Sequence, residues 1–170
     1  FGDGGAIFTN DEELGQKIAV IANHGMKLQY QYEYVGLNSR LDTLQAAILS
    51  VKLKYLNDYN KARQSAADYY DAAFKNNEHI SIPSRFSNSE HIFHQYTLKV
   101  KSGKRDALKM HLNDKGIPAM IYYPVGLHMQ KAYQNLNYSE GDFPVTERIC
   151  TEVLSLPMHT ELNEQQLKYI

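Results

Sequence analysis

The chain lacks most of the features that would commit it to a specialised class. One cysteine among 170 residues, Cys150, excludes an internal disulfide framework and suits a reducing compartment, so the cytoplasm is the expected location. A formal net charge of -1, without a block of like charges, removes the electrostatic case for a nucleic-acid or anionic-membrane surface. No apolar run approaches the roughly 20 residues of a membrane helix, and the first residues carry neither a basic segment nor a signal-type core. The phosphate-loop pattern GxxxxGK(S/T) and the Gly-x-Ser-x-Gly elbow are both missing. Carboxylates are scattered over helix faces, so no pair suited to glycoside hydrolysis can be picked out. The 7 histidines offer no ligand spacing, since His91 and His94 on a strand point to opposite faces, and no metal is expected.

What is present is ordinary globular material: 43% hydrophobic and 22% charged residues. A chain of this length buries roughly two thirds of its unfolded surface, enough for one domain of ordinary size. It opens without methionine, in Phe1-Gly2-Asp3-Gly4-Gly5, which reads as the interior of a longer protein.

Apolar residues 6–9 predict a short strand, and Asn10 with Glu13 has the spacing of a capping box. Leu14, Ile18, Ile21 and Ala22 recur at helical spacing, and Gly25 supplies a left-handed stop, so a helix is expected over 11–23. Residues 26–40 lose periodicity while tyrosines accumulate at 30, 32 and 34, which predicts an irregular, functional loop. Leu41, Leu44, Ile48, Val51 and Tyr55, then Tyr59, Ala62, Ala66, Tyr69 and Ala73, predict one helix over 41–76. At 1.5 Å per residue it would reach about 50 Å and must bend or bridge two lobes.

Beyond it the pattern changes to alternation. Ile92, His94, Tyr96, Leu98 and Val100 share one face of an expected strand, with Phe93, Gln95, Thr97 and Lys99 on the other. Ser102 is the expected cap of a helix carrying Leu108, Met110 and Leu112, closed by Gly116 before an expected strand at 117–123. Asp142 and Pro144 mark another helix start, with Val145, Ile149 and Val153 as its stripe and a buried Cys150 on it. Residues 154–157 read as a last short strand. Residues 84–90 read as an exposed, mobile loop. The fold class expected is α/β, with an α+β second part, divided into residues 1–55 and 56–170.

Two stretches carry chemistry. Gly2-Asp3-Gly4-Gly5 is either a tight turn into a strand or a place where backbone approaches a ligand closely. Gly36-Leu37-Asn38-Ser39-Arg40-Leu41-Asp42 leads into a helix, where backbone N–H groups and the dipole favour an anion and Arg40 adds a fork of donors. The competing reading has Asn38 capping a turn and Arg40 paired with a surface carboxylate.

Taken in order, Gly-Asp-Gly-Gly-Ala, Asn23-His24-Gly25, Gly36 to Asp42, His94-Gln95-Tyr96, Tyr122-Tyr123-Pro124 with Leu127-His128-Met129-Gln130, Phe143-Pro144 and Leu154-Ser155-Leu156-Pro157 resemble the DegT/DnrJ/EryC1/StrS family of nucleotide-sugar aminotransferases, which use pyridoxal 5'-phosphate (PLP). The resemblance implies an aspartate-aminotransferase-like subunit (fold type I). Here that means the end of the large PLP-binding domain, a long bridging helix, and a small domain with an antiparallel sheet. It further implies a homodimer with shared active sites and transfer of an amino group from glutamate to a UDP- or dTDP-linked keto sugar, for surface polysaccharide or amino-sugar biosynthesis.

In that family the lysine that holds PLP as an imine precedes the Gly-Asp-Gly-Gly turn, so it would fall just upstream of Phe1 and no catalytic residue is assigned in this chain. By motif match Asn38 binds the cofactor phosphate in the partner's site. His24, Tyr34, Arg40, Tyr122, Tyr123 and His128 are the expected substrate-binding residues. One departure is Tyr122-Tyr123-Pro124, where members acting on 3-keto uronic acid sugars have His-Tyr-Pro. The main alternative is a non-catalytic regulatory or sensory homologue that binds a nucleotide sugar or a protein partner, and another is a free-standing interaction module dimerising through the long helix.

Overall fold

Asp11, rather than Asn10, starts the first helix. In the computed structural model, which describes residues 2–170, the Asp11 carboxylate accepts the Leu14 N–H at 3.0 Å, and α1 runs Glu12–Ala22 with two acidic residues in its first turn. Phe1, at the head of the glycine-rich segment, lies outside the described residues. The chain divides into two units, Phe1–Leu56 and Asn57–Ile170.

In the first unit the expected strand at 6–9 does not form. A strand needs a neighbour's ladder, and none of the described residues pairs with this segment, leaving Ile7 and Phe8 exposed. The segment expected to be irregular instead begins with an antiparallel hairpin, β1 (Met26–Leu28) and β2 (Gln31–Tyr32). Tyr30 makes the turn at φ 64°, and Lys27 pairs with Glu33 at 3.1 Å beyond it.

The helix expected over 41–76 is two helices, α2 (Thr43–Leu53) and α3 (Leu56–Phe74). The Tyr55 N–H bonds the Lys52 carbonyl at 3.0 Å, an i→i+3 contact that tightens the turn and ends α2 without a glycine or proline. Neither α1 nor α2 buries a residue.

The hydrophobic core lies in the second unit. Strands β3 (Ile80–Ser81), β4 (Tyr96–Val100) and β5 (Val153–Leu156) form an antiparallel sheet in the order β3-β4-β5, with Tyr96 opposite Leu156 and Leu98 opposite Leu154. Tyr96, Leu98 and Val100 are buried as their alternation predicts, but the strand is shorter than expected. Phe93 takes φ 48°, its N–H bonded to His91 Nδ1 at 2.8 Å, and this bend buries Phe93 while exposing Ile92. Against the core, α3 buries the expected Ala66 together with Ala67 and Tyr70, while the expected Tyr69 packs on it half-buried and Ala73 is exposed.

Buried hydroxyls find partners. Tyr70 donates to the Pro157 carbonyl at 2.9 Å, and burial pushes its phenol up to about 12. Tyr96 donates to Asp71 at 2.6 Å, and burial first, then that bond, raises its phenol well above the ordinary value. Arg85 bridges Asp68 and Asp71 at 2.7 Å each, so the exposed 84–90 loop is pinned to α3.

Helix α4 (Arg105–Asp114) follows a turn in which Ser102 and Gly103 are both left-handed, so Ser102 does not cap it. Leu112 is buried, Leu108 packs on the core and Met110 is exposed. Gly116, at φ 73°, closes the helix as expected. Only Met120 of the expected strand at 117–123 pairs, exchanging bonds of 3.0 and 2.7 Å with Ser155; Pro118 has no N–H to extend the ladder. Two short 3-10 helices, Leu127–Met129 and Lys131–Leu136, lead to α5 (Pro144–Glu152), which has proline in its first turn and Cys150 buried. The last helix, α6 (Glu164–Tyr169), carries an Asn163–Gln166 capping box.

Arg105 closes α5. Its guanidinium donates to the Cys150 and Val153 carbonyls at 3.0 and 3.3 Å while Asp106 accepts from Nε at 2.6 Å. Arg105→Met keeps the stem but leaves those carbonyls unpaired, and is expected to cost about 2 kcal/mol in a urea unfolding titration.

Candidate active-site loop

The carbonyls at the end of α1 position the Gly36–Asp42 stretch. Ala19 and Val20 accept from the Asn23 N–H, and Val20 also accepts from Gly25 at 2.8 Å. Ile21 and Ala22 accept from Leu37 and Ser39, each at 2.8 Å, so the loop itself satisfies the last turn of the helix. The His24 N–H returns a bond to the Leu37 carbonyl at 2.8 Å, and Asn23 and Asn38 form a single antiparallel bridge. Chain crossing this tight requires bare backbone. A Cβ on Gly36 would overlap the Gly25 nitrogen and the His24 carbonyl carbon, and one on Gly25 would overlap the Tyr34 carbonyl.

The stretch leads into α2 as expected. Asn38 and Arg40 are held by the C-terminal end of α1, while Asp42 occupies the N-cap position of α2 without a side-chain cap bond. The donor set supports an anion site. Arg40 Nε donates to Asn38 Oδ1 and Arg40 Nη1 to Asn23 Oδ1, both at 3.2 Å. Both acceptors are neutral, and among the described residues no carboxylate forms an ion pair with Arg40. With its oxygen committed to Arg40, Asn38 offers its amide NH2 to a ligand.

Asn38, Ser39 and Arg40 line a cleft of about 720 Å³ together with Asp3, Gly4 and Gly5, closed on one side by Ala19 and Ala22 of α1. Gln45 holds the glycine-rich segment there, donating to the Asp3 carbonyl at 3.3 Å. The Gly2–Gly5 stretch is thus part of the cleft rather than a turn into a strand. Asp3 is the one carboxylate in the lining, and no lysine lines it. His24 and Tyr34 lie beside the cleft and not in its lining. Both are exposed, and Lys17 stands over the Tyr34 ring at 5.4 Å.

The second unit holds the other expected residues. Tyr122 lines a small cleft with His94, Gln95, Met120 and Ser155. Tyr123, joined to it by a cis peptide, is 72% exposed, and the two rings meet edge to face at 5.7 Å. His128 differs from the expectation of a substrate contact: its side chain is 7% exposed, bonded to Glu147 at 3.0 Å and packed on Phe143. Glu147 also accepts from the Gly141 N–H at 2.9 Å and from Phe143 at 3.2 Å.

Desolvation raises the Glu147 carboxyl, but the Gly141 and Phe143 N–H groups and His128 together outweigh it and hold the carboxyl below its ordinary value. A depressed carboxyl stabilises the fold above its ordinary value, and that contribution disappears as pH falls through the folded one. Acid unfolding of Glu147→Gln is therefore expected to show a shallower slope below about pH 4.5 than the parent chain, read by tyrosine fluorescence.

The chain superposes on the crystal structure of S. venezuelae DesV, solved in complex with a ketimine intermediate, with a TM-score of 0.88 and 32% identity, covering 94% of this chain and 43% of that one. That is the fold of part of an aminotransferase of fold type I. The chain belongs to the DegT/DnrJ/EryC1/StrS aminotransferase family, which it matches over residues 1–170.

Among curated relatives, a protein of Geobacillus stearothermophilus named pleiotropic regulatory protein is 42% identical over 100% of this chain and 46% of its own length. The dTDP-3-amino-3,6-dideoxy-alpha-D-galactopyranose transaminase of Aneurinibacillus thermoaerophilus is 40% identical, covering 98% and 45%. The chain thus spans just under half the length of these relatives. No helix among the described residues is long and apolar enough to cross a membrane.

Asn23 and Gln45 are site-building residues that the sequence did not reveal. Nothing in the spacing of an amide at a helix end distinguishes a support for Arg40 from a C-cap.

Proposed function

We propose that this chain acts as the C-terminal portion of a PLP-dependent aminotransferase that moves an amino group from glutamate to the keto group of a UDP- or dTDP-linked sugar. The observation that carries this reading is Arg40, held by two neutral amide oxygens beside an Asn38 NH2 group, in a cleft walled by Gly4 and Gly5. Family membership and the transaminase named among the relatives support it. The reading makes the protein a cytoplasmic homodimer and assigns residues 1–55 to the end of the large domain and residues 56–170 to the small domain.

The donor set fits a phosphate, because the Arg40 guanidinium and the Asn38 amide line a cleft beside the bare backbone of Gly4 and Gly5, with Asp3 the one carboxylate among the described lining residues. PLP, when bound, supplies the electron sink for moving the amino group. Asn38 would hold its phosphate from the neighbouring subunit. Arg40 meets the anionic part of the nucleotide sugar, with His24 and Tyr34 at the edge of the same site. Tyr122 and Tyr123 are the residues of the second unit assigned to the sugar. His128 shapes that segment through Glu147 and is a positioning residue.

The test uses the full-length protein, glutamate and 3-keto sugars linked to UDP or dTDP, with products read by mass spectrometry. Formation of the amino sugar with 2-oxoglutarate supports the reading. Purified protein that retains no PLP and forms neither product overturns it. The name of the Geobacillus relative favours one other reading, a non-catalytic regulatory homologue that binds a nucleotide sugar or a protein partner.

A further inference from the structure

We infer that Asn23 is a specificity-determining positioning residue: its neutral oxygen holds Arg40 in place without neutralising it, so that the guanidinium charge is kept for an anionic sugar nucleotide. The inference deepens the functional reading above and rests on it. Asn23 is bound twice to the loop. Its backbone bridges Asn38, and its Oδ1 accepts from Arg40 Nη1 at 3.2 Å. The second contact spans 17 positions and joins the end of α1 to the loop.

An acceptor is needed there, since a long, exposed arginine side chain loses considerable rotamer freedom when fixed. The most strongly held acceptor would be a carboxylate, which would also form a charge-assisted pair and compete with any anionic ligand. An amide oxygen supplies the geometry without the competition. Asn38 Oδ1 does the same at Nε, and the remaining guanidinium N–H groups have no partner among the described residues.

The two side chains bonded to Arg40 are thus neutral, and Asp3, the carboxylate in the same cleft, makes no ion pair with it among the described residues, which leaves the guanidinium charge for a ligand. The diphosphate of a nucleotide sugar, or a carboxylate on the sugar itself, has that chemistry. Charge at position 23 is therefore expected to tune substrate affinity more than turnover.

The experiment compares Asn23→Asp, Asn23→Ala and Arg40→Ala in the full-length protein. It measures KM and kcat for the nucleotide sugar and, independently of turnover, calorimetric affinity for UDP and dTDP. Asn23→Asp preserves shape and adds charge. It is expected to raise KM and weaken nucleotide binding by about tenfold with kcat within about threefold, and to be worse than Asn23→Ala. A merely structural role predicts the reverse order, with the isosteric aspartate milder than alanine, and that order overturns the inference. If Arg40→Ala weakens binding while Asn23→Asp matches the parent, the inference fails and the functional reading stands. If Arg40→Ala changes neither KM nor nucleotide affinity, the anion role of Arg40 falls and the inference falls with it.

Discussion

Gly36→Val in the full-length protein is expected to abolish both cofactor retention and substrate binding while leaving the sheet of the second unit folded. A side chain at position 36 meets backbone rather than a movable group: the Gly25 nitrogen, the His24 carbonyl carbon and, at 2.6 Å, the Ile21 carbonyl oxygen. The loop cannot seat without giving up the bonds from Leu37 to Ile21, from His24 to Leu37 and from Ser39 to Ala22. At about 1 kcal/mol net for each bond, the local loss is on the order of 3 kcal/mol.

Asn38 and Arg40 then lose their common support, so one substitution outside the cleft lining removes two ligand groups. Hydrogen exchange should accelerate at residues 36–40 and at the end of α1, while the amides of Leu98 and Leu154 stay protected. A Gly36→Val protein that retains cofactor and protects this loop would show that seating the loop on α1 is not what builds the site.

Asn38→Ala is expected to lower PLP retention by about 10- to 100-fold, the range for losing one hydrogen bond to a charged group. Because Asn38 is exposed, its removal should move the melting temperature little. Dialysis against buffer, followed by release and quantification of the bound cofactor, separates the two effects. Asn38→Asp should be worse still, since it turns a donor toward phosphate into a like charge. Equal retention in the alanine variant would remove Asn38 from the phosphate site.

Residues that act through local patterns were readable from sequence. The alternation of Tyr96, Leu98 and Val100, the stop at Gly116, the proline-led start of α5 and the apolar run of β5 each follow from one rule acting over a few residues. The misses have two causes, a missing long-range partner in one case and a local backbone restriction in the others. Residues 6–9 have strand composition but no neighbour to pair with, Pro118 restricts the following run to one bridge, and the left-handed Phe93 reverses which side of its segment is buried.

The same division runs through the site. Asn38 and Arg40 stood out because the whole ordered series of motifs resembles a known family. Their physical setting did not, because helix α1 holds them through backbone bonds that any sequence could make. His128 looked equivalent to Tyr122 and Tyr123 in the linear motif, yet Glu147, 19 positions later, takes it into a packed pair. Asn23 was visible as part of Asn-His-Gly, but its bond to Arg40 exists only once the loop has folded back.

On the proposed reading, the 36–40 loop supplies half of an active site whose lysine lies on another protomer. Mixing two inactive full-length proteins tests it most directly. One carries Asn38→Ala with Arg40→Ala, the other a substitution of the lysine that holds PLP. If the site is shared, each mixed dimer contains one intact site, and activity returns to about a quarter of the parent level after random reassortment of equal amounts. If mixed dimers form, as native mass spectrometry would show, and activity does not return, the loop does not serve a neighbouring subunit and the account is contradicted.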